Sequence, residues 1–153
     1  RRILWLNHGY LAGDDTDSHI DTLARFCAPD HICYVTCPNV ADEHYSALAA
    51  MEEELQEFRQ ADGAPYKLTP LPWPDAIHDE HGERLPATYA NFLIINEAVL
   101  LPVYGVDQDQ DAIAVMKEIF PTRAIVPINC RPLIRQHGSL HCVTMQMPAG
   151  VVS

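Results

Sequence analysis

The chain has 153 residues, of which 48% are hydrophobic and 20% are charged, and this is the size and composition of a single globular domain. Its formal net charge of -11 argues against a nucleic-acid partner, because phosphate backbones are bound by clustered Lys and Arg, and a small cationic ligand suits the charge better. No apolar run approaches the roughly 18 residues of a membrane span and no signal peptide can be recognised, so we expect a cytoplasmic protein with no membrane partner.

Short β-rich runs alternate with segments of helical periodicity along the chain, which predicts an α/β fold. Residues 3–7 are the first predicted strand. The chain begins with Arg1 and not with Met, and this strand follows at once. We therefore expect the sequence to be a segment of a longer protein.

A helix and a second strand are predicted next. Acidic residues 14–17 can cap a helix, and apolar side chains recur at helical spacing over residues 20–27, so a helix is predicted from about Ser18. Residues 32–37 are rich in β-forming side chains and stop at Pro38, which predicts a strand.

A long amphipathic helix is predicted to begin at Asp42 and to end near Gly63. Its apolar stripe is formed by Leu48, Met51, Leu55 and Phe58. We expect the glutamates between these positions to lie in solvent. Residues 66–71 are predicted as a strand, and the Pro-rich residues 72–86 as an irregular segment.

The last third of the chain predicts a hairpin, a helix and a strand. Residues 88–95 and 98–103 are β-rich runs whose connection at Asn96 can adopt positive φ, so they predict a buried hairpin. A helix over residues 110–120 and a strand over residues 124–128 follow. The order of elements indicates a repeated β-rich unit with one helix.

The five cysteines are an odd set without a C-x-x-C pair, so neither a disulfide framework nor a zinc ribbon is predicted. Cys27, Cys33 and Cys37 lie within or beside apolar runs, where a free thiol is expected to pack as a small hydrophobe. No H-x-x-x-H pair is predicted on a helix, and no metal is assigned.

Residues 14–21 combine four carboxylates with His19. Helix capping explains this density, and a divalent-metal loop is a second interpretation, although the segment lacks the glycine and terminal glutamate of an EF-hand. In a third interpretation His19 is a general acid–base beside Asp21, whose carboxylate favours the protonated ring. The residues alone leave all three open.

Residues 136–144 surround Cys142 with histidines, a glycine and small polar side chains. A nucleophilic thiolate needs a neighbouring positive charge or base and an uncrowded approach, and this segment can supply both. On the residues alone, a buried structural cysteine remains the alternative.

Four motifs, residues 16–21, 89–96, 120–123 and 138–144, together resemble agmatine deiminase and the related bacterial peptidyl-arginine deiminases, in the same order and at similar spacing. The resemblance covers nearly the whole chain. It implies that residues 1–153 are the C-terminal portion of a single catalytic domain whose N-terminal half is absent. The implied fold is an α/β architecture, part of a pseudo-five-fold propeller built of ββαβ modules.

The resemblance also implies roles for three residues. Cys142 matches the nucleophile, His19 the catalytic histidine, and Asp21 a carboxylate that binds the guanidinium group. Residue chemistry agrees, because a carboxylate that holds the N–H groups of a planar guanidinium orients its carbon toward the sulfur. No cofactor and no metal are implied.

The implied reaction is hydrolytic deimination of a small cationic guanidino substrate, with agmatine converted to N-carbamoylputrescine and ammonia through a covalent thiouronium on Cys142. Free or peptidyl arginine is the alternative substrate, and Arg131 or Arg135 could then meet its carboxylate. Gln136 and His137 stand where the family often has glycines, so the substrate can differ from agmatine. The alternative of another class is a non-catalytic module that keeps the fold, and a homo-oligomer is left open.

Overall fold

Two successive ββαβ units form the regular structure of the chain, in a computed structural model that describes residues 3–14, 19–147 and 150–151. The first unit consists of β1 (Ala24–Ala28), β2 (His31–Val35), α1 (Tyr45–Glu57) and β3 (Lys67–Leu71), and the second of β4 (Leu93–Ile94), β5 (Ala98–Val103), α2 (Gln108–Ile119) and β6 (Ala124–Asn129). In each unit the first two strands are antiparallel and the third runs parallel to the second. The α/β class and the repeated one-helix unit are thus confirmed.

The predicted helix over residues 20–27 is wrong. A single 3-10 turn, Ile20–Thr22, is followed directly by β1, which forms a hairpin with β2. The helical spacing was accidental, because Ile20 is 54% exposed whereas Leu23 is buried. Pairing with a neighbouring strand satisfies the backbone of this segment, and tertiary context of this kind overrides a weak periodic pattern. The predicted start at Ser18 lies outside the described residues.

Residues 3–7 are not a strand, contrary to the prediction. The segment has an apolar pattern but no strand partner in the described part of the chain, and Ile3 and Trp5 are 72% and 76% exposed. The C-terminal end of the segment is hydrogen-bonded to α1 instead. The backbone N–H groups of Asn7 and His8 each donate to Glu54 Oε2 over 2.9 Å.

The two long helices were predicted correctly in kind, but α1 is shorter than predicted. In α1 the side chains of Leu48, Met51 and Leu55 are buried, as the stripe predicted, but the helix ends at Glu57, short of Gly63. Not all of its glutamates are solvated, since Glu52 Oε1 accepts a 2.7 Å hydrogen bond from the hydroxyl of Tyr34. In the second unit the hairpin is confirmed, although the first strand is only Leu93–Ile94.

The predicted positive φ at Asn96 is also wrong. Within the described ranges, His137 is the one residue other than glycine with positive φ, at 66°. Residues 88–92, predicted as strand, are buried but stay outside the sheet, and the side chain of Asn91 points to the cluster described below.

A polar network around the buried His44 binds the backbone at Ala12. Asp42 Oδ1 accepts from the backbone N–H of His44 over 3.0 Å and from its ring Nδ1 over 2.6 Å. His44 is fully buried, and its Nε2 accepts the backbone N–H of Ala12 over 2.8 Å, so the ring is neutral with its proton on Nδ1. Arg84 completes the network with hydrogen bonds of 3.1 and 3.0 Å to the two oxygens of Asp42.

This network predicts an acid-labile contribution to stability. Burial alone would raise the pKa of Asp42, but hydrogen bonds from His44 and the charge of Arg84 lower that pKa to about 2. A folded-state pKa below the unfolded value gives stabilisation that is present above roughly pH 4 and is lost as the pH falls toward 2, about 2 kcal/mol in all. Urea unfolding across this range should show the loss in the wild type and a flatter profile in Asp42→Asn. If the free energy of unfolding changed equally with pH in the two proteins, the assignment would be contradicted.

Candidate active site

Two short 3-10 helices from distant parts of the sequence meet at one place. Ile20–Thr22 carries Asp21 and His141–Val143 carries Cys142. The Sγ atom of Cys142 lies 3.9 Å from Oδ2 of Asp21 although 121 residues separate them. The structure therefore brings together two of the three residues that the sequence predicted for the site.

Asn91 connects these two turns. Its side-chain Nδ2 donates to the Asp21 backbone oxygen over 3.2 Å and to Oδ2 over 3.0 Å. Its Oδ1 accepts from the N–H of His141 over 2.8 Å and of Cys142 over 3.4 Å, and lies 3.5 Å from Sγ of Cys142. Asn91 is fully buried, so these bonds satisfy its amide and fix its orientation.

The sequence argument assigned no role to Asn91. It stands in the apolar run of residues 89–95, and an amide buried there must find hydrogen-bond partners. That requirement was the signal that could have marked it.

His141 was likewise given no separate role. Its Nδ1 donates to Oδ2 of Asp21 over 2.8 Å, and the side chains are 27% and 19% exposed, respectively. Oδ2 of Asp21 is therefore shared by His141 and Asn91. Among the described residues no hydrogen bond reaches the other oxygen, Oδ1, which leaves that oxygen available to a cationic ligand.

His19 lies at the edge of this cluster. Its side chain is exposed, its backbone N–H donates to Asp14 Oδ2 over 3.2 Å, and its carbonyl accepts from the hydroxyl of Thr22 over 2.7 Å. Within the described ranges its ring has no hydrogen bond to Asp21 or Cys142. The structure thus places His19 two residues from Asp21 but not in contact with the thiol.

Cys142 is the one exposed thiol among the five cysteines. Gly138 faces it, and a Cβ added there would lie 3.2 Å from the Cβ of Cys142 and 3.7 Å from its Sγ. The glycine keeps the thiol uncrowded on this side, which a nucleophile requires for access to its electrophile.

Substituting Gly138 by Ala tests this crowding. The new methyl would also meet Gln136 Nε2 at 3.0 Å, so either this side chain or Cys142 must shift by a few tenths of an ångström. We expect alkylation of Cys142 by iodoacetamide to slow by roughly three- to tenfold, with little change in the melting temperature, because φ is not positive here. Gly63→Ala is not a suitable control for Gly138→Ala, because φ at Gly63 is +89° and a side chain there would strain the backbone. Unaltered alkylation kinetics in Gly138→Ala would refute the crowding argument.

The other cysteines differ in environment. Cys33 and Cys37 are buried, as predicted, and burial raises the pKa of Cys37 and of Cys130. Cys27 is only partly buried, and a hydrogen bond from the thiol of Cys33 lowers its pKa. Cys27 is therefore the second thiol to consider when the reactivity of Cys142 is measured.

Arg131 and Arg135 lie elsewhere on the surface. With Asn129 and Pro132 they line a shallow cavity that none of Asp21, Asn91 and Cys142 lines. The guanidinium of Arg131 donates to the carbonyl of Tyr104 over 3.2 Å.

In residues 3–14, 19–147 and 150–151 no group of three or more His, Cys, Asp or Glu side chains is arranged to hold a metal. Most of the acidic loop, residues 15–18, lies outside these ranges. None of the helices in the described part is both long and apolar enough to cross a membrane.

The family model for the Porphyromonas-type peptidyl-arginine deiminases matches residues 1–148. The chain belongs to this family. It is 30% identical to agmatine deiminase of Stutzerimonas stutzeri over 167 residues, which cover 98% of the chain and 45% of that protein. The predicted resemblance is confirmed.

Solved structures agree with the sequence match. A Porphyromonas gingivalis protein provisionally assigned as an arginine deiminase has a TM-score of 0.91 and 60% identity, with 94% of this chain and 42% of that chain covered. C. jejuni agmatine deiminase has a TM-score of 0.83 and 40% identity, with 93% and 41% covered, and a Cys-to-Ser variant of it has been solved with substrate bound. The chain thus spans less than half the length of these relatives.

Proposed function

We propose that this protein catalyses the hydrolytic deimination of a guanidino substrate, with agmatine as the first candidate and N-carbamoylputrescine and ammonia as products. The observation that carries the proposal is that Asp21 and Asn91 both approach the exposed thiol of Cys142, while His141 is hydrogen-bonded to Asp21. A carboxylate with one unused oxygen beside a reactive sulfur suits a planar cation whose central carbon is the electrophile.

In the proposed mechanism Asp21 binds the guanidinium through Oδ1 and presents its carbon to Sγ of Cys142. The thiolate forms a C–S bond, and the tetrahedral adduct releases one nitrogen as ammonia once that nitrogen is protonated, with His19 as the acid. A covalent thiouronium remains. Water, deprotonated by His19, then attacks the same carbon, the C–S bond breaks, and the ureido product leaves a thiolate.

His19 and His141 have different parts in this scheme. His141 is attached to Asp21 and keeps that carboxylate in place, whereas the exposed ring of His19 is free to approach the departing nitrogen when a substrate is bound. Seven residues before His19, the backbone N–H of Ala12 donates to the buried ring of His44.

Replacing His19 by Ala should lower kcat by roughly 100-fold or more and change KM by less than about threefold, because a general acid–base acts mainly after binding. His8→Ala is the control, since His8 is exposed and its backbone N–H, not its ring, bonds to Glu54. Steady-state ammonia release measures both constants. A rise in KM with kcat intact would move His19 from proton transfer to substrate binding.

Arginine is the second candidate substrate, because the names of the relatives refer to arginine as well as agmatine: peptidyl-arginine deiminase for the family, provisionally arginine deiminase for the P. gingivalis structure, and agmatine deiminase for the C. jejuni enzyme. Arginine has an α-carboxylate that agmatine lacks. The two guanidines share the reacting group, so Asp21 and Cys142 serve either one and contacts to the substrate tail decide between them.

The test is a side-by-side assay of agmatine, free arginine and a peptide with an internal or C-terminal arginine, scored by ureido product and ammonia. Agmatine turnover with kcat/KM well above that for arginine supports the first candidate. The opposite order supports the second. A correctly folded protein that turns over none of these would leave the non-catalytic module as the function.

This chain matches less than half of its relatives. We further propose that the complete guanidinium pocket also needs residues like those in the other half. The described chain offers one carboxylate at Cys142, while a guanidinium has N–H donors on three nitrogens. The assay should therefore use the protein in its longest natural form. We also propose a cytoplasmic location, since the five cysteines are all free thiols.

A further inference from the structure

Arg25 reaches from the first ββαβ unit into the second. It lies on β1, and its Nη1 donates to the backbone oxygen of Phe92 over 3.0 Å and to that of Ala90 over 3.5 Å. Its guanidinium carbon lies over the Phe92 ring, 5.0 Å from the ring centre. These contacts place a cation against the segment that precedes β4.

The surroundings of Arg25 are unusual for a charged side chain. It is partly buried, and burial lowers its pKa, while the nearby groups of Asp21 and Cys142 act in the opposite direction. In the described ranges no carboxylate oxygen lies within ion-pairing distance, so two backbone oxygens are the polar groups that it binds there. Removing such a cation from water has a cost that an ordinary packing role does not require.

The two carbonyl groups that Arg25 binds belong to the residues immediately before and after Asn91. Asn91 is the residue whose amide connects Asp21 with the N–H groups of His141 and Cys142. We propose that Arg25 is a positioning residue that holds the backbone on both sides of Asn91, so that this amide keeps Asp21 and Cys142 in reacting geometry. The role in catalysis rests on the deiminase function proposed above.

Contacts at both ends orient this segment. At one end the hydroxyl of Thr88 donates to the backbone oxygen of Thr22 over 2.7 Å, which ties its start to the turn that carries Asp21. Arg25 adds the contacts to the carbonyl groups on either side of Asn91. These contacts matter for the site because a displacement near 1 Å at a reacting group can cost about 100-fold in rate.

Three variants of the protein in its longest natural form test the role. Arg25→Met keeps the apolar stem but removes the donors, Arg25→Lys keeps donors and charge on a shorter stem, and Arg123→Met is the matched control. Arg123 is also a partly buried arginine that donates to a backbone oxygen, that of Ile95 over 3.4 Å, but this oxygen is outside the site.

We expect Arg25→Met to lower kcat for the preferred guanidine at least about tenfold. KM should stay within about threefold, because Asp21, the residue that binds the guanidinium, is still present. Arg25→Lys should recover part of that kcat, and Arg123→Met should stay within about twofold of the wild type. A kcat for Arg25→Met within twofold of the wild type, a loss as large in Arg123→Met, or an Arg25→Lys no better than Arg25→Met would overturn the inference.

Amide hydrogen exchange separates positioning from general weakening. The N–H groups of His141 and Cys142 should exchange at least about tenfold faster in Arg25→Met, whereas the N–H of Gly105, bonded to Asp109 Oδ2 over 2.7 Å, should keep its wild-type rate. Unchanged exchange at His141 and Cys142, or an equal rise at Gly105, would overturn the positioning role even if kcat fell. If Arg25→Met does not fold, Arg25→Lys must show at least about threefold faster exchange at the same two amides.

Exchange also distinguishes the two proposals. A wild-type protein without turnover on any guanidine, combined with faster exchange in Arg25→Met, would remove the deiminase function and keep the contact between Arg25 and the Asn91 segment. Normal deimination combined with unchanged exchange would remove only the role of Arg25.

Discussion

Replacing Cys142 by Ala should abolish deimination, with a loss of roughly a thousandfold or more in kcat, because no other described thiol is exposed beside Asp21. The folded state should persist, since the side chain is exposed and contributes little packing. Ammonia release and thermal unfolding measured on the same sample check both statements. Residual activity within tenfold of the wild type would show that the sulfur is not the nucleophile.

Covalent labelling gives the same prediction a direct readout. A haloacetamidine, which mimics the guanidinium, should modify Cys142 first, and a neutral iodoacetamide should discriminate less between Cys142 and Cys27, whose pKa is lowered. Cys27→Ser is the matched control and should retain both turnover and haloacetamidine labelling. Label spread evenly over the five thiols, mapped by peptide mass, would contradict the assignment.

Asp21→Asn should reduce kcat/KM by roughly 100-fold or more, with a rise in KM as well as a fall in kcat. The amide keeps the shape of the carboxylate but removes the charge, and a charge-assisted pair with the guanidinium contributes about 1.5–3 kcal/mol. Orientation of the electrophilic carbon toward Cys142 is lost at the same time, which lowers kcat.

The control for Asp21→Asn is Asp111→Asn, an exposed position on α2 that should behave as the wild type. Steady-state kinetics with agmatine and arginine measure the two constants separately. If Asp21→Asn left KM unchanged for both guanidines, Asp21 would support His141 and Asn91 but would not bind substrate.

Local sequence patterns predicted correctly those elements whose apolar side chains pack into the core. The stripe of Leu48, Met51 and Leu55 predicted α1, and the β-rich runs predicted β2 and β5, because apolar periodicity reports directly which face is buried. The same reasoning failed at residues 20–28. There a hairpin partner, and not the spacing of side chains along the chain, decides the secondary structure.

At the candidate site, sequence by itself determined the residue types and their chemistry: a thiol in a segment with histidines and glycine, and a carboxylate two positions after a histidine. Together with two further motifs, residues 89–96 and 120–123, these were enough to indicate the family, which the comparisons confirm. Only the tertiary structure decided that Asp21 and Cys142 meet, that Asn91 joins them, and that His141 contacts the carboxylate while His19 stays at the edge. The reason is physical: each of these contacts links residues from separate parts of the chain, and their distances are set by the packing of one ββαβ unit against the next, which local periodicity does not encode.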